Sequence, residues 1–342
     1  MRIVELYGGG DGGGAARYMN DVLPALARTD DVAFVSLGRD HLAPQGVQLI
    51  HASQSRAFTV LRSLRPEVLH THGLRANLLG RIYGRLHGVP VVTTVHSFLA
   101  QDYRSPEAAA TALLLDGATL PLSRLLIAVS APIAQDLLER GALAGSVAVV
   151  PNGIASPPPA DVSSLPGLVP GRPLLCCAAR LHPTKGIDIA IAALQHLPDA
   201  QLALMGEGPE REALASLAQS LGCGDRVHFL GYRKDFASIV AGADLMLIPS
   251  RAEGFGLAAV EAMAQGVPVV ASAVGALPTV VGQGGVLFRS GDAADLARAV
   301  GTALRERAGL AAEAVRQASH YSLAETVRLT RAVLAQAIGE QT

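Results

Sequence analysis

The stretch 243–272, ADLMLIPSRAEGFGLAAVEAMAQGVPVVAS, constrains the fold more than any other part of the chain. Leu245, Met246, Leu247 and Ile248 form a short apolar run stopped by Pro249 and Ser250, the pattern of a strand buried on both faces of a parallel sheet. Glycines surround a phenylalanine in Glu253-Gly254-Phe255-Gly256. Leu257, Val260, Glu261 and Met263 then continue at helical spacing until Gly266 and Pro268 end the turn. Residues 267–271 form a second apolar run. A strand–loop–helix–strand unit of this kind sets Glu253 at the carboxyl edge of an open α/β sheet, where such sheets bind ligands. Two acids with the free N–H groups of a helix start between them suit a ligand carrying both hydroxyls and phosphate. The plain alternative is one exposed acid near a helix N-terminus and one on a solvated face.

A chain of 342 residues, 50% hydrophobic and rich in glycine, has room for two α/β domains with ample core. Its formal charge of −1 gives no global attraction to nucleic acid. Of the three cysteines, Cys176 and Cys177 are adjacent inside an apolar run, poor disulfide material that fits a reducing cytoplasm. The sequence opens directly on a strand at 2–7, so no signal peptide is expected, and no apolar run is long enough to span a bilayer. Among 28 basic residues only Lys185 and Lys234 are lysines. A lysine kept in an arginine-rich chain suits a site that needs a compact ammonium.

After the first strand come six glycines in the seven residues 8–14, then a helix expected over 15–26. Such a stretch lets backbone approach a ligand beside a helix N-terminus, a ready anion site. No Gly-Lys-Ser/Thr follows, which excludes a P-loop. Gly8, Gly10 and Gly13 match G-x-G-x-x-G, and Asp30 and Asp31 follow at roughly dinucleotide-site spacing. Both acids precede the second strand, expected at 32–37, whereas the ribose-binding acid of that fold sits at the strand's far end. Further strands are expected at 47–50, 67–71, 91–95, 125–129 and 147–150. His96 stands just past the strand 91–95, placed for ligand contact or proton handling, although a lone histidine there is more often structural.

Arg56, Arg62, Arg65, Arg75, Arg81 and Arg85 face the single acid Glu67 over residues 56–85. That reads as a solvated basic face or as a patch for an acceptor or a membrane surface. A Pro- and Gly-rich segment over 156–172 reads as an interdomain linker. A second α/β series then begins. Arg180 ends the strand 174–179 and Lys185-Gly186 opens the next helix. Gly206-Glu207-Gly208 follows the strand 201–205 and leads into a helix with Pro209 in its first turn, and another strand is expected at 227–230. The loops of this series share one sheet edge, so Arg180 and Lys185 are expected to face the same crevice as Glu253 and Glu261. Ser322 and Glu325 form a capping box for the last helix.

The ordered set Gly13-Gly14-Ala15-Ala16-Arg17, Val95-His96, Val150-Pro151-Asn152-Gly153, Ala179-Arg180-Leu181 with Lys185-Gly186, Gly206-Glu207-Gly208-Pro209, and Glu253-Gly254-Phe255-Gly256 with Glu261 resembles the motifs of retaining GT-B glycosyltransferases of family 4. These motifs cover nearly the whole chain. The resemblance implies an α/β fold of two Rossmann-like domains facing across a cleft. An acceptor domain would span 1–155, the linker 156–172, a nucleotide-sugar domain 173–320, and a C-terminal helix over 321–342 would pack back on the first domain. By resemblance, Arg180 and Lys185 hold the donor diphosphate, Glu261 the ribose and Glu253 hydroxyls of the transferred sugar. Backbone groups of Gly254, Phe255, Gly256 and Leu257 complete the donor pocket, Gly13 and Gly14 close on the phosphates, and His96 contacts the sugar near the reacting centre.

The implied partners are a nucleotide-diphosphate sugar and an acceptor sugar, lipid-linked or small, with peripheral membrane contact through residues 56–85 as one option. The expected location is the cytoplasm or the inner face of the cell membrane. No Asp-x-Asp occurs, so no metal is expected between the phosphates, and no cofactor beyond the donor substrate. Two departures from the family pattern are Gly275-Ala276-Leu277-Pro278-Thr279, where Gly-Gly-x-x-Glu is common, and Ala155, where an Asp often follows the Asn-Gly turn. A GT-B sugar-nucleotide epimerase and an NAD-dependent oxidoreductase are the alternative readings.

Overall fold

The computed structural model describes residues 1–8, 13–38, 44–103, 105–155 and 168–339. The chain divides into two compact units, Met1–Gly153 with Leu323–Thr342, and Ile154–Ser322. The linker expected over 156–172 lies outside the described residues from 156 to 167, as does Gly10 of the glycine match.

The first unit is built on a parallel sheet of β1 (Arg2–Tyr7), β2 (Asp31–Ser36), β3 (Gln48–His51), β4 (Val68–His72), β5 (Val91–Val95), β6 (Leu125–Ala128) and β7 (Val147–Val149). The spatial order is β3-β2-β1-β4-β5-β6-β7. Strand order therefore reverses at β1, which pairs with β2 on one side and β4 on the other. Helices Gly14–Leu26 and Leu74–His87 start at the carboxyl ends of β1 and β4, so both begin at this switch point. The strand expected at 67–71 is shifted by one residue, starting at Val68 and ending at His72. All five residues of β4 are buried, with His70 and His72 on one face.

Ile3, Val22, Leu23, Phe34, Val92 and Ile127 form one core cluster of this unit together with Val333 and Leu334 of the last helix, Leu323–Ile338. That helix is also held by polar contacts. Tyr18 Oη lies 3.1 Å from Thr330 Oγ1, Thr326 Oγ1 donates to Pro151 O at 2.8 Å, and Arg331 Nε donates to Asp30 at 2.8 Å. Asp30 also receives the amino group of Met1 at 2.9 Å. The acid that a dinucleotide reading needs for a ribose thus ties the last helix to the turn before β2.

The reading of 56–85 as one basic face needs a correction. Arg56, Arg62, Arg65, Arg75 and Arg85 are exposed, but Arg81 is completely buried. Its guanidinium donates to Asp116 Oδ1 at 2.6 Å, Ser123 Oγ at 2.9 Å and Thr119 Oγ1 at 3.1 Å, and Asp116 also pairs with Arg140. A buried charge persists only when paired and hydrogen-bonded, and Asp116 supplies the pairing here.

The second unit carries β8 (Leu174–Ala178), β9 (Gln201–Met205), β10 (Val227–Gly231), β11 (Leu245–Ile248), β12 (Val269–Ser272) and β13 (Gly285–Phe288) in a parallel sheet of order β10-β9-β8-β11-β12-β13. Its strand order reverses between β8 and β11, the two strands that precede Arg180 and Glu253. Cys176 and Cys177 are buried free thiols on β8, and burial pushes both up to about 12. Pro209 is not in a first helical turn: the helix spans Arg211–Ser220, with Glu210 at its N-cap. The N–H of Glu210 instead reaches Leu181 O at 3.2 Å, and that of Arg211 reaches Gly208 O, so the segment closes on the β8 loop before the helix begins.

Candidate active site

In the second unit the structure joins two of the expected site residues directly. Lys185 ends a single 3-10 turn, Pro183–Lys185, and Gly186 caps the helix Ile187–Ala193. Lys185 Nζ donates to Glu253 Oε2 at 2.7 Å, and Ser250 Oγ donates to the same oxygen at 3.1 Å. Both partners are largely buried, with side chains 25% and 15% exposed. Glu253 Oε2 is thereby occupied, while Oε1 has no hydrogen-bond partner among the described residues. A carboxylate can accept through both oxygens, so the free one suits a ligand hydroxyl.

The loop bearing Lys185 is fastened to the loop bearing Glu253. Arg251 N donates to Thr184 O at 2.7 Å, and the Arg251 guanidinium reaches Pro183 O at 2.8 Å. The same guanidinium forks onto Asp188 at 2.7 and 2.6 Å. Gly186 sits at φ 62°, and a Cβ there would lie 2.0 Å from Pro249 O, so only glycine lets these two loops approach so closely.

Gly254, Phe255 and Gly256 are buried and lead into the helix Leu257–Ala264, whose N-cap, Gly256 at φ 101°, offers no side-chain hydrogen bond to its first N–H groups. Leu257 opens that helix and Glu261 is half-buried on it. Arg180 is exposed at the carboxyl end of β8 and makes no ion pair among the described residues. The edge of this unit therefore presents a guanidinium, an ammonium held by a carboxylate, and a helix start. These are groups that match negative phosphate beside a hydroxyl-rich moiety.

In the first unit, Gly13 at φ 98° caps the helix Gly14–Leu26 without a side-chain bond, and a Cβ on Gly13 or Gly14 would meet nothing. His96 follows β5. Its Nε2 lies 3.0 Å from His72 Nδ1, and its ring packs edge-on to Tyr18 at 5.1 Å between centroids. His72 Nε2 in turn lies 2.9 Å from Glu5 Oε2, while His70 Nδ1 lies 3.0 Å from the same carboxyl and His70 Nε2 lies 2.7 Å from Thr94 Oγ1.

Burial alone would raise the Glu5 carboxyl, but the two imidazoles more than offset it and hold it down at about 2. Burial, aided by the neighbouring His70, pushes His72 down to about 4 against the pull of Glu5. Burial, with His72 and His70 nearby, holds His96 well below the ordinary imidazole range. At neutral pH the set is an anionic Glu5 with His72 and His96 neutral.

Sequence reasoning missed Glu5, His70 and His72. A signal existed in His70-Thr71-His72, because residues two apart share a face of a strand. Register then sets Glu5 on β1 beside His70 on β4. The three bring metal-capable atoms within 4.8 Å of one another. Here one nitrogen of each imidazole faces the carboxylate, so the arrangement is a hydrogen-bonded network. Ser250, Arg251 and Asp188 were also missed; Ser250 and Arg251 lie just before Glu253, but their partners are fixed only by the fold.

Two parallel sheets whose strand orders each reverse at the loops carrying these groups define a GT-B architecture. The profile described as Glycosyltransferase Family 4 matches residues 12–156, and that described as Glycosyl transferases group 1 matches residues 166–321. D-inositol 3-phosphate glycosyltransferase of Mycolicibacterium smegmatis is 30% identical over 296 residues, covering 80% of this chain and 68% of that protein. The enzyme of the same name from Nocardia farcinica is 32% identical over 288 residues, covering 74% and 62%. The chain belongs to the family 4 glycosyltransferases of GT-B fold, and is a glycosyltransferase.

Among solved structures, Anabaena HepE in complex with UDP and glucose superposes with a TM-score of 0.85 at 23% identity, covering 98% of this chain and 99% of that one. Sucrose-phosphate synthase from Thermosynechococcus elongatus does so at 0.83 and 22%, covering 98% of each. These likenesses concern the fold. No helix among the described residues is long and apolar enough to cross a membrane.

Proposed function

We propose that this glycosyltransferase moves a sugar, with retention of configuration, from a nucleoside-diphosphate-sugar donor to an acceptor hydroxyl. The observation that carries the reading is the Lys185–Glu253 contact at 2.7 Å, which leaves one carboxylate oxygen and two ammonium protons for a ligand. Breaking the sugar–phosphate bond leaves negative charge on the diphosphate and positive character on the sugar ring. Arg180 and Lys185 stabilise the former, as fixed cations do best when aimed at developing charge. Glu253 Oε1 accepts from sugar hydroxyls and its charge favours the positive ring. Glu261 accepts from the ribose hydroxyls, and the N–H groups around Phe255, Gly256 and Leu257 bind phosphate oxygens. In the first unit, Gly13 and Gly14 open a helix start of the same kind, suited to an anion.

Side-chain cations take the part that a metal held by Asp-x-Asp plays in other transferases, since that motif does not occur in this chain. The departing phosphate oxygen takes the acceptor proton on the same face of the sugar. UDP is the first nucleotide to test, because HepE has been solved with UDP and with UDP-glucose. The inositol 3-phosphate enzymes point to a phosphorylated polyol as acceptor. A lipid-linked acceptor is the second reading, favoured by five exposed arginines over residues 56–85.

The test is product analysis by NMR with UDP-sugars and inositol 3-phosphate. An α-linked product from an α-linked donor supports the reading. An inverted linkage, or a sugar trapped covalently on Glu253 and found by mass spectrometry, contradicts it.

A further inference from the structure

The histidine chain behind His96 fixes where its proton sits. An ionised carboxylate only accepts hydrogen bonds, so His72 Nε2, 2.9 Å from Glu5 Oε2, must donate. A neutral imidazole with its proton on Nε2 presents Nδ1 as an acceptor. His72 Nδ1 faces His96 Nε2 at 3.0 Å, so His96 must donate in turn. His96 is then left with a lone pair on Nδ1. That atom is buried and has no hydrogen-bond partner among the described residues.

A buried acceptor left unsatisfied is destabilising, and in a native structure it asks for an explanation. A ligand hydroxyl donating to Nδ1 supplies one. The chain is also held at its far end: Glu5 receives His70 Nδ1 at 3.0 Å, and His70 Nε2 meets Thr94 Oγ1 at 2.7 Å. Tyr18 packs against both His72 and His96, with ring centroids 5.6 and 5.1 Å away, and restrains rotation of either ring.

We propose that Glu5 and His72 are positioning residues: they hold His96 as the Nε2–H tautomer, so that its Nδ1 accepts a hydrogen bond from a substrate hydroxyl. The hydroxyl's role rests on the glycosyltransferase reading; the tautomer does not. The order is that of an acid–imidazole pair in which the carboxylate chooses the tautomer of the working ring, extended here by one imidazole.

The test is a long-range proton–nitrogen correlation spectrum of the whole protein labelled with nitrogen-15 in its histidine rings, recorded near pH 7.5. The His96 signals are identified by their loss in His96→Gln. The native protein is expected to show His96 protonated on Nε2 alone. A proton on Nδ1, or on both nitrogens, overturns the proposal whatever the activity. In Glu5→Gln the amide can donate to His72 Nε2, so the chain is free to reverse. The His96 signals should then shift toward the other tautomer, and kcat should fall roughly tenfold or more while KM for the donor stays within about twofold.

His70→Gln, which removes only the side branch at Glu5, should keep the native His96 tautomer. If Glu5→Gln lowers kcat without moving the His96 signals, or His70→Gln moves them as much, the network only packs the sheet and the proposal fails. Zinc binding that displaces the His70 and His72 proton signals would make the set a metal site and also overturn it. A native spectrum as expected with no transfer from any donor would instead count against the functional reading alone.

Discussion

Lys185 and Glu253 stand 68 residues apart in sequence and 2.7 Å apart in space, joined at the point where the second sheet reverses its strand order. The pair sets a cation and an anion side by side, each with hydrogen-bonding capacity to spare. That arrangement matches a bond whose two ends develop opposite charge.

Replacing Lys185 removes a point charge aimed at the leaving diphosphate. Lys185→Ala should lower kcat about 10²- to 10³-fold. Lys185→Arg should restore little, because a planar fork does not reproduce a compact ammonium 2.7 Å from a carboxylate. Steady-state kinetics with both variants checks this; full activity in Lys185→Arg would show that charge alone suffices.

The Arg251–Asp188 fork is more than 40% exposed on each side, so its worth to stability is small, roughly 1 kcal/mol or less. Its effect on the site should be larger, since Arg251 also holds Pro183 O beside Lys185. Arg251→Ala should shift the denaturation midpoint little and lower kcat severalfold. Comparing urea unfolding with kinetics separates the two.

Gly186→Ala should do the reverse and destabilise strongly. The added carbon meets Pro249 O at 2.0 Å on a backbone at φ 62°, two penalties of roughly 1–3 kcal/mol each. A stability loss below about 1 kcal/mol would mean that the two loops separate easily.

The buried histidines make stability depend on pH. His72 in the folded chain titrates at about 4 instead of 6.5, so the unfolded chain binds the proton more readily. Its contribution is fully present above 6.5 and is lost as pH falls toward 4, on the order of 3 kcal/mol at most. Urea unfolding at pH 7 and pH 4.5 should show the decline, and His72→Asn should flatten it.

Leu334 is fully buried in the core of the first unit, on the helix that packs against Gly14–Leu26, β4, β5 and β6. Leu334→Ala should cost about 2–5 kcal/mol, measured by the same unfolding. A much smaller loss would mean that the last helix contributes little to this core.

Much of the fold was legible because buried parallel strands are near-continuous apolar runs: β1, β5 and β9 match their expected bounds residue for residue. β13 was not seen, for it is a four-residue strand at the sheet's end, and Leu287 within it is exposed. β4 lies one residue later at both ends than its expected bounds of 67–71, because its histidines break the apolar pattern, and that pattern also hides the network they form. Arg81 looked like one more surface cation, since its partner Asp116 lies 35 residues away and only the fold brings it near. The motifs named Lys185 and Glu253 separately; that they touch, and that Ser250 shares the same oxygen, depends on loop geometry.

The most direct test of the donor site is thermal unfolding with UDP, GDP, ADP or NAD added separately, on the native chain and on Glu261→Ala. A nucleotide at 100 times its dissociation constant adds about 2.7 kcal/mol. One nucleoside diphosphate, UDP first, should stabilise the native protein, and Glu261→Ala should weaken the effect. Stabilisation by NAD alone, or by none of the four, would contradict the donor-site assignment.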